Sequence, residues 1–289
     1  MTNLLKNQII IDGLEYCNWN RELLENLWKG GITAVHVTLV YWENTEESFK
    51  KIFEIEKLIE NNQDIVCHAK TTEDILNAKH DKKVAFIFGF QNSAPIVNNI
   101  FLLEKFFNKG LRFMQLTYNN QTPLAGGCFE PKDSGVSRFG KEVIEEMNRL
   151  GMIIDLSHAG KISCLDAIEF SSKPVAISHA NPSFFHKSLR NIDNDVLKKL
   201  VNKNGFIGLS LYPYHLKNLG NCKIDEFCQM IKELINLIGS DNIGIGSDLC
   251  LNWPDEVVMW MRNGNWTKKT DYGESKDKNI KWPRQPAWY

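Results

Sequence analysis

A (β/α)₈ barrel, the TIM-barrel architecture, is the fold class that this 289-residue sequence predicts, and three observations predict it. Eight apolar runs bounded by turn residues alternate with eight helical patterns along the chain, which is the order of a parallel barrel. The stretch Met152 to Arg190 shows the repeat most clearly: apolar runs at Met152 to Leu156 and Pro174 to Ile177 each end in Ser-His, with the amphipathic segment Ile162 to Phe170 between them. Continuous apolar strands joined by a crossover helix belong to a sheet buried on both faces. No Gly-rich nucleotide loop follows the first strand, which sets the doubly wound open sheet second. Without an internal repeat, low-complexity tract or linker, residues 1–289 read as one barrel domain.

Each element has a local reason. Gln8 to Asp12 is the first strand, and Asn20 to Trp28 the first helix, with Leu23, Leu24 and Leu27 on one face and Gly30 and Gly31 closing it. Ala34 to Val40 is the second strand; Glu46 to Ile59 follows with a broad apolar face from Phe49 to Ile59. A short extended piece, Asp64 to Cys67, and a small helix, Thr72 to Ala78, capped by Thr71 or Thr72 with acids in its first turn, form an excursion. The third strand is Val84 to Phe88, leading through Gly89 to Pro95 into a helix from Ile96 to Phe107. Arg112 to Thr117 is the fourth, followed by a loop from Tyr118 to Ser137, long enough to carry function. Phe139 to Leu150 is helical, and strands five and six are Met152 to Leu156 and Val175 to Ile177. Helix Asp193 to Val201, which Asp193 can cap, precedes strand seven, Phe206 to Leu211; helix Ile224 to Ile238 precedes strand eight, Ile243 to Ser247. Val257 to Arg262 starts a last helix, and Lys268 to Tyr289 is polar, so the cover over the first and eighth strands is short and leaves them a partly exposed face.

Composition narrows the function. With 43% hydrophobic residues and a net charge of -1, the chain can build a large core and has no basic surface for nucleic acid or an anionic membrane. The seven cysteines stand singly, with no Cys-x-x-Cys pair, as expected for reduced thiols in the cytoplasm. The N-terminus lacks the apolar core of a signal peptide, and no apolar run reaches membrane-spanning length.

In a parallel barrel ligands collect at the carboxyl ends of the strands. That mouth receives Asp12 and Glu15, then His36 to Thr38 somewhat deeper, Gln91, Tyr118, Asn119, His158, His179, Tyr212, His215 and Asp248. Taken singly, Asp12 caps a turn, His36 is an interior histidine, and Asp248 stops a strand. Two imidazoles in the same Ser-His frame on adjacent strands instead suit a metal or a proton-transfer site. Arg190, shortly after the sixth strand, either grips a carboxylate or pairs with Asp193 or Asp195.

The chain resembles the membrane (renal) dipeptidase family of zinc peptidases. The resemblance runs from IIIDG to IGIGSDL and is densest in RFMQLTYNNQTPLAGG, SRFGKEVIEEMNRLGMIIDLSHAG, KPVAISHANP and LRNIDNDVL. It implies a metallo-dependent hydrolase barrel in which water activated by metal attacks the amide of a dipeptide. By position, His158 and His179 match the histidines of the second zinc, Arg190 the arginine that binds substrate carboxylate, and Asp248 the aspartate that assists proton transfer. Gln91, Tyr118 and Asn119 complete the implied substrate site, for a small molecule with a free carboxylate. The resemblance also points to a homodimer, and the family continues past the point where this sequence stops.

The departures matter as much. The family opens with Asp-Gly-His-x-Asp, where this chain has Asp12, Gly13, Leu14, Glu15 and Tyr16, so both ligands specific to the first zinc are missing. Gln91 stands where the family has its bridging glutamate, and Tyr118 where many members have a histidine. One zinc on His158 and His179 is therefore expected rather than two, with Asp248, Gln91, Glu15 or His215 as third ligand. The alternatives are a barrel that binds small molecules without metal chemistry, and a metal-free acid/base enzyme using His158 and His179.

Overall fold

The computed structural model describes residues 7–97, 99–263 and 285–289. The strands are β1 (Ile11–Glu15), β2 (Ala34–Val40), β3 (Val66–His68), β4 (Val84–Phe90), β5 (Leu111–Gln115), β6 (Ile153–Asp155), β7 (Ala176–Ile177), β8 (Phe206–Leu209) and β9 (Ile243–Ile245). Eight of them close a parallel ring in the order β2-β1-β9-β8-β7-β6-β5-β4, with β4 pairing back onto β2. β3 lies outside that ring. It pairs with the first half of β4, Val66 opposite Val84, while β5 takes the second half, Gly89 opposite Phe113. The excursion expected before the third barrel strand is thus a short stave set end to end with β5.

The intervening helices are α1 (Arg21–Gly30), α2 (Thr45–Asn61), α3 (Thr72–His80), α4 (Phe101–Asn108), α5 (Arg138–Leu150), α6 (Lys161–Phe170), α7 (Asn194–Asn202), α8 (Ile224–Ile238) and α9 (Asp255–Asn263). Local chemistry sets their ends. Thr71 and Asp74 form a capping box on α3, and Gly31 closes α1 in the left-handed region at φ 88°. Asp193 occupies the N-cap position of α7, but its side chain caps nothing there and accepts from Ser183 instead. α4 starts at Phe101 instead of Ile96, because Pro95 sits in a 3₁₀ turn and Val97 follows at φ 44°, which no α-helix tolerates.

β8 and β9 stop short of their apolar runs for one reason. Asn181 Oδ1 takes the Ser210 N–H at 3.1 Å and Asp12 Oδ1 takes the Ser247 N–H at 2.8 Å, so side chains replace the ladder at the mouth. Inside the barrel the carbonyl of Ser178 projects toward Gly13, Gly208 and Gly246, where any Cβ would collide with it. Those glycines let the β7 chain bulge inward just before His179. On the outer face Ile11 and Ile245 are 41% and 43% exposed. Of the polar segment from Lys268, only residues 285–289 are described.

Candidate active site

His158 and His179 leave the ends of β6 and β7, and their Nε2 atoms lie 3.0 Å apart. Each ring is fixed from behind. Asn119, in the left-handed region at φ 62°, brings its Oδ1 to 2.6 Å from His158 Nδ1, and the Tyr118 ring stacks on the same imidazole at 4.2 Å. Ser178 Oγ lies 2.7 Å from His179 Nδ1 and 2.5 Å from Asp155 Oδ2. Burial first, and the charge of Arg190 second, hold both imidazoles well below their ordinary pKa. Both are neutral at neutral pH and able to offer a lone pair.

Arg190 is 3% exposed, and its guanidinium donates to the carbonyls of Ser157 and His179. Among the described residues it has no carboxylate partner, because Asp193 and Asp195 both pair with Lys161, at 3.0 and 2.9 Å. A guanidinium has five N–H donors, so donors remain for whatever enters. Asp248, in the left-handed region at φ 58°, lines the same cavity, as do Gln91, Tyr118, Asn119 and His215. Gln91 Nε2 donates to Thr38 at 2.9 Å, and His215 Nδ1 meets Ser210 Oγ at 2.8 Å.

The long loop after β5 is pinned by Asp133. Its carboxylate accepts from Ser163 N at 2.9 Å, Ser163 Oγ at 2.6 Å and Gly135 N at 3.0 Å. Gly160, the N-cap of α6, has no side chain to cap with, so Asp133 caps that helix from the loop that carries Asn119.

Leu14 and Tyr16 are packed with Tyr41, Tyr118 and Met261 in an apolar cluster, Tyr16 meeting Tyr41 edge-on at 6.2 Å. Burial pushes the Tyr16 and Tyr41 hydroxyls up, so neither offers an anionic ligand. Two zinc ions do not fit this donor set. The His158 and His179 nitrogens do fit one, since two nitrogens on one tetrahedral zinc are expected about 3.3 Å apart from bonds of about 2.0–2.1 Å. Among the described residues no group of three or more His, Cys, Asp or Glu converges, so a third ligand is not assembled; Glu15 in particular is turned toward Asp12 and Cys17.

Of the sequence-predicted site residues, Gln91, Tyr118, Asn119, His158, Arg190, Tyr212, His215 and Asp248 line this cavity, and His179 meets His158 beside it; Asp12, Glu15, His36 and Thr38 do not line it, Asp12 accepting from the Leu14 and Ser247 N–H groups instead. His36 sits deeper, its Nδ1 on the Gly13 carbonyl at 2.7 Å and its ring stacked on Phe113. Sequence reasoning missed Tyr41, Met261 and Arg262, which line the cavity, and the Asp155, Ser157 and Ser178 network beneath it. Only the last left a trace: an acid three residues before His158 and a serine before each histidine.

Residues 20–255 match the family model described as membrane dipeptidase, peptidase family M19. That match begins after the altered segment Asp12 to Tyr16. An uncharacterized dipeptidase, C965.12, of Schizosaccharomyces pombe is 30% identical over 179 residues, 59% of this chain and 42% of that protein. Dipeptidase 3 of Mus musculus is 32% identical over 182 residues, 61% of this chain and 36% of that protein. The chain spans about half or less of the length of these curated relatives. The crystal structure of an amidohydrolase from Pseudomonas aeruginosa superposes with a TM-score of 0.91 at 34% identity, covering 98% of this chain and 85% of that one. A metallo peptidase from Rhodobacter sphaeroides, liganded with a phosphinate mimic of L-Ala-D-Ala, shares the fold at 17% identity and a TM-score of 0.75, over 83% of this chain and 86% of that one.

Proposed function

The chain belongs to the membrane dipeptidase family, and on that premise we propose that it hydrolyses the amide bond of a dipeptide or a similarly small molecule bearing a free carboxylate. The observation that carries this reading is Arg190. Burying a guanidinium without an acid is costly, and two backbone carbonyls compensate only part of it. A carboxylate from the substrate would complete the set by a bidentate, charge-assisted pair.

His158 and His179 would hold one metal ion through their Nε2 atoms, zinc being the ion that suits neutral imidazole. Such an ion supplies Lewis-acid polarisation and lowers the pKa of water near it. Asp248 takes the proton released on attack, and Gln91, Tyr118 and Asn119 orient the substrate and the first imidazole. The cavity holds about 60 Å³, room for a few waters and not for a dipeptide. Admission of substrate therefore requires the wall formed by Tyr16, Met261 and Arg262 to move outward, with α9 as the element that carries two of those residues. A reducing cytoplasmic setting is part of the proposal, supported by seven free cysteines.

A second reading rests on Leu14, Tyr16 and Gln91, which fill the place of the family's first-zinc and bridging ligands: a barrel that binds the same ligand and does not turn it over. Assay of purified protein on dipeptides, with zinc added and with a chelator, separates the two. Hydrolysis that needs zinc and fails in His158→Ala and Asp248→Asn supports the enzyme. Carboxylate-dependent binding without any turnover selects the binding barrel.

A further inference from the structure

We propose that Asp155 and Ser178 are positioning residues which hold the proton of His179 on Nδ1, so that its bare Nε2 is aimed at the bare Nε2 of His158. The argument is a count of protons. Asp155 Oδ1 accepts from Ser157 N at 3.0 Å, Ser157 Oγ at 2.6 Å and Ser178 N at 3.1 Å. Its Oδ2 accepts from Gln115 Nε2 at 3.0 Å and from Ser178 Oγ at 2.5 Å. A carboxyl that receives five donors has no proton of its own to give.

The single hydroxyl proton of Ser178 is therefore spent on Asp155. Ser157 lends none, because its own goes to Asp155 Oδ1. Toward His179 Nδ1, 2.7 Å away, Ser178 Oγ can only accept. The ring proton of neutral His179 thus lies on Nδ1, and Nε2 carries a lone pair.

The second ring is set in the same sense. Asn119 Oδ1, which also faces the Cys128 thiol at 3.5 Å, is an acceptor, so His158 donates from Nδ1 and its Nε2 is bare as well. Two lone pairs then face each other across 3.0 Å with no proton between them. That arrangement is unfavourable alone and favourable around an electron-poor partner, a metal ion or the N–H or O–H of a bound molecule. Asp155 and Ser178 are both fully buried and do not line the cavity, so they act only through His179.

The inference deepens the proposed function and rests on it only for the reaction that the pair serves. The test reads the tautomer directly: nitrogen NMR of the full chain labelled with ¹⁵N-histidine, the His179 signals being those lost in His179→Gln. In the wild type the proton is expected on Nδ1 of both rings, with or without zinc. In Ser178→Ala and, separately, in Asp155→Asn, it is expected to move to Nε2 of His179, which then donates to His158. Where turnover is measurable, either variant should lower kcat about ten- to a hundredfold with KM little changed. A wild-type proton on His179 Nε2, or a Ser178→Ala spectrum unchanged at His179, overturns the proposal. Absence of turnover in the wild type would count against the hydrolase reading and leave the spectrum to decide the tautomer.

Discussion

Asp12 and Glu15, three residues apart on β1, interact through their carboxyl groups, and both are sealed from solvent. Burial is the largest cause of a raised pKa in each, and the charge of Asp12 adds to it in Glu15, which lies well above the ordinary glutamate value.

That pair predicts how stability depends on pH. The unfolded chain gives up the Glu15 proton near pH 4.5 while the fold retains it, so the contribution is full below that pH and is lost as pH rises through the folded value. Glu15→Gln removes the ionisable group and keeps an acceptor for the Cys17 thiol. Urea unfolding at pH 5 and pH 8 should show the variant gaining stability on the wild type at the higher pH. An equal difference at both would refute the assignment.

Arg190→Ala should raise KM for substrates with a free carboxylate about tenfold to a hundredfold, from the loss of charged hydrogen bonds of about 1.5–3 kcal/mol. An amidated substrate should lose far less. Arg190→Lys should restore only part, because a point charge cannot reproduce the fork. Steady-state kinetics on the acid and its amide check this.

Metal analysis of the purified chain should find about one zinc per chain and not two, with the ion lost in His158→Ala. Leu14 and Tyr16, packed among Tyr41, Tyr118 and Met261, are the reason for the lower number. Two equivalents in the wild type would mean that ligands other than these form a second site.

Asp133→Ala should cost about 1–2 kcal/mol in chemical denaturation, as the loss of a helix cap does. The same change should loosen the loop that carries Asn119 and so lower activity beyond its effect on stability. Asp133→Asn, which keeps one acceptor, should recover part of both.

The alternation of strands and helices was readable because apolar periodicity is local. Thr71 and Asp74 announce α3 within four residues, and the Ser-His endings of β6 and β7 mark the mouth just as directly. The start of α4 was misread because the left-handed turn at Val97 has no local signature in a β-branched residue. Spacing also left Arg190 undecided between an ion pair and a ligand. The structure decides, because Lys161, remote in sequence, takes Asp193 and Asp195 for itself.

By itself, then, the sequence determined a ring of parallel strands with two imidazoles at neighbouring strand ends and an arginine close after them. Only the tertiary structure decided which atoms of those groups face one another: Asn119 behind His158 across 39 residues, Asp155 behind Ser178 across 23, and an aromatic cluster in place of the first metal's ligands. The physical reason is that burial follows a pattern a few residues long, whereas the choice of a hydrogen-bond partner is made between segments that meet only once the barrel has closed.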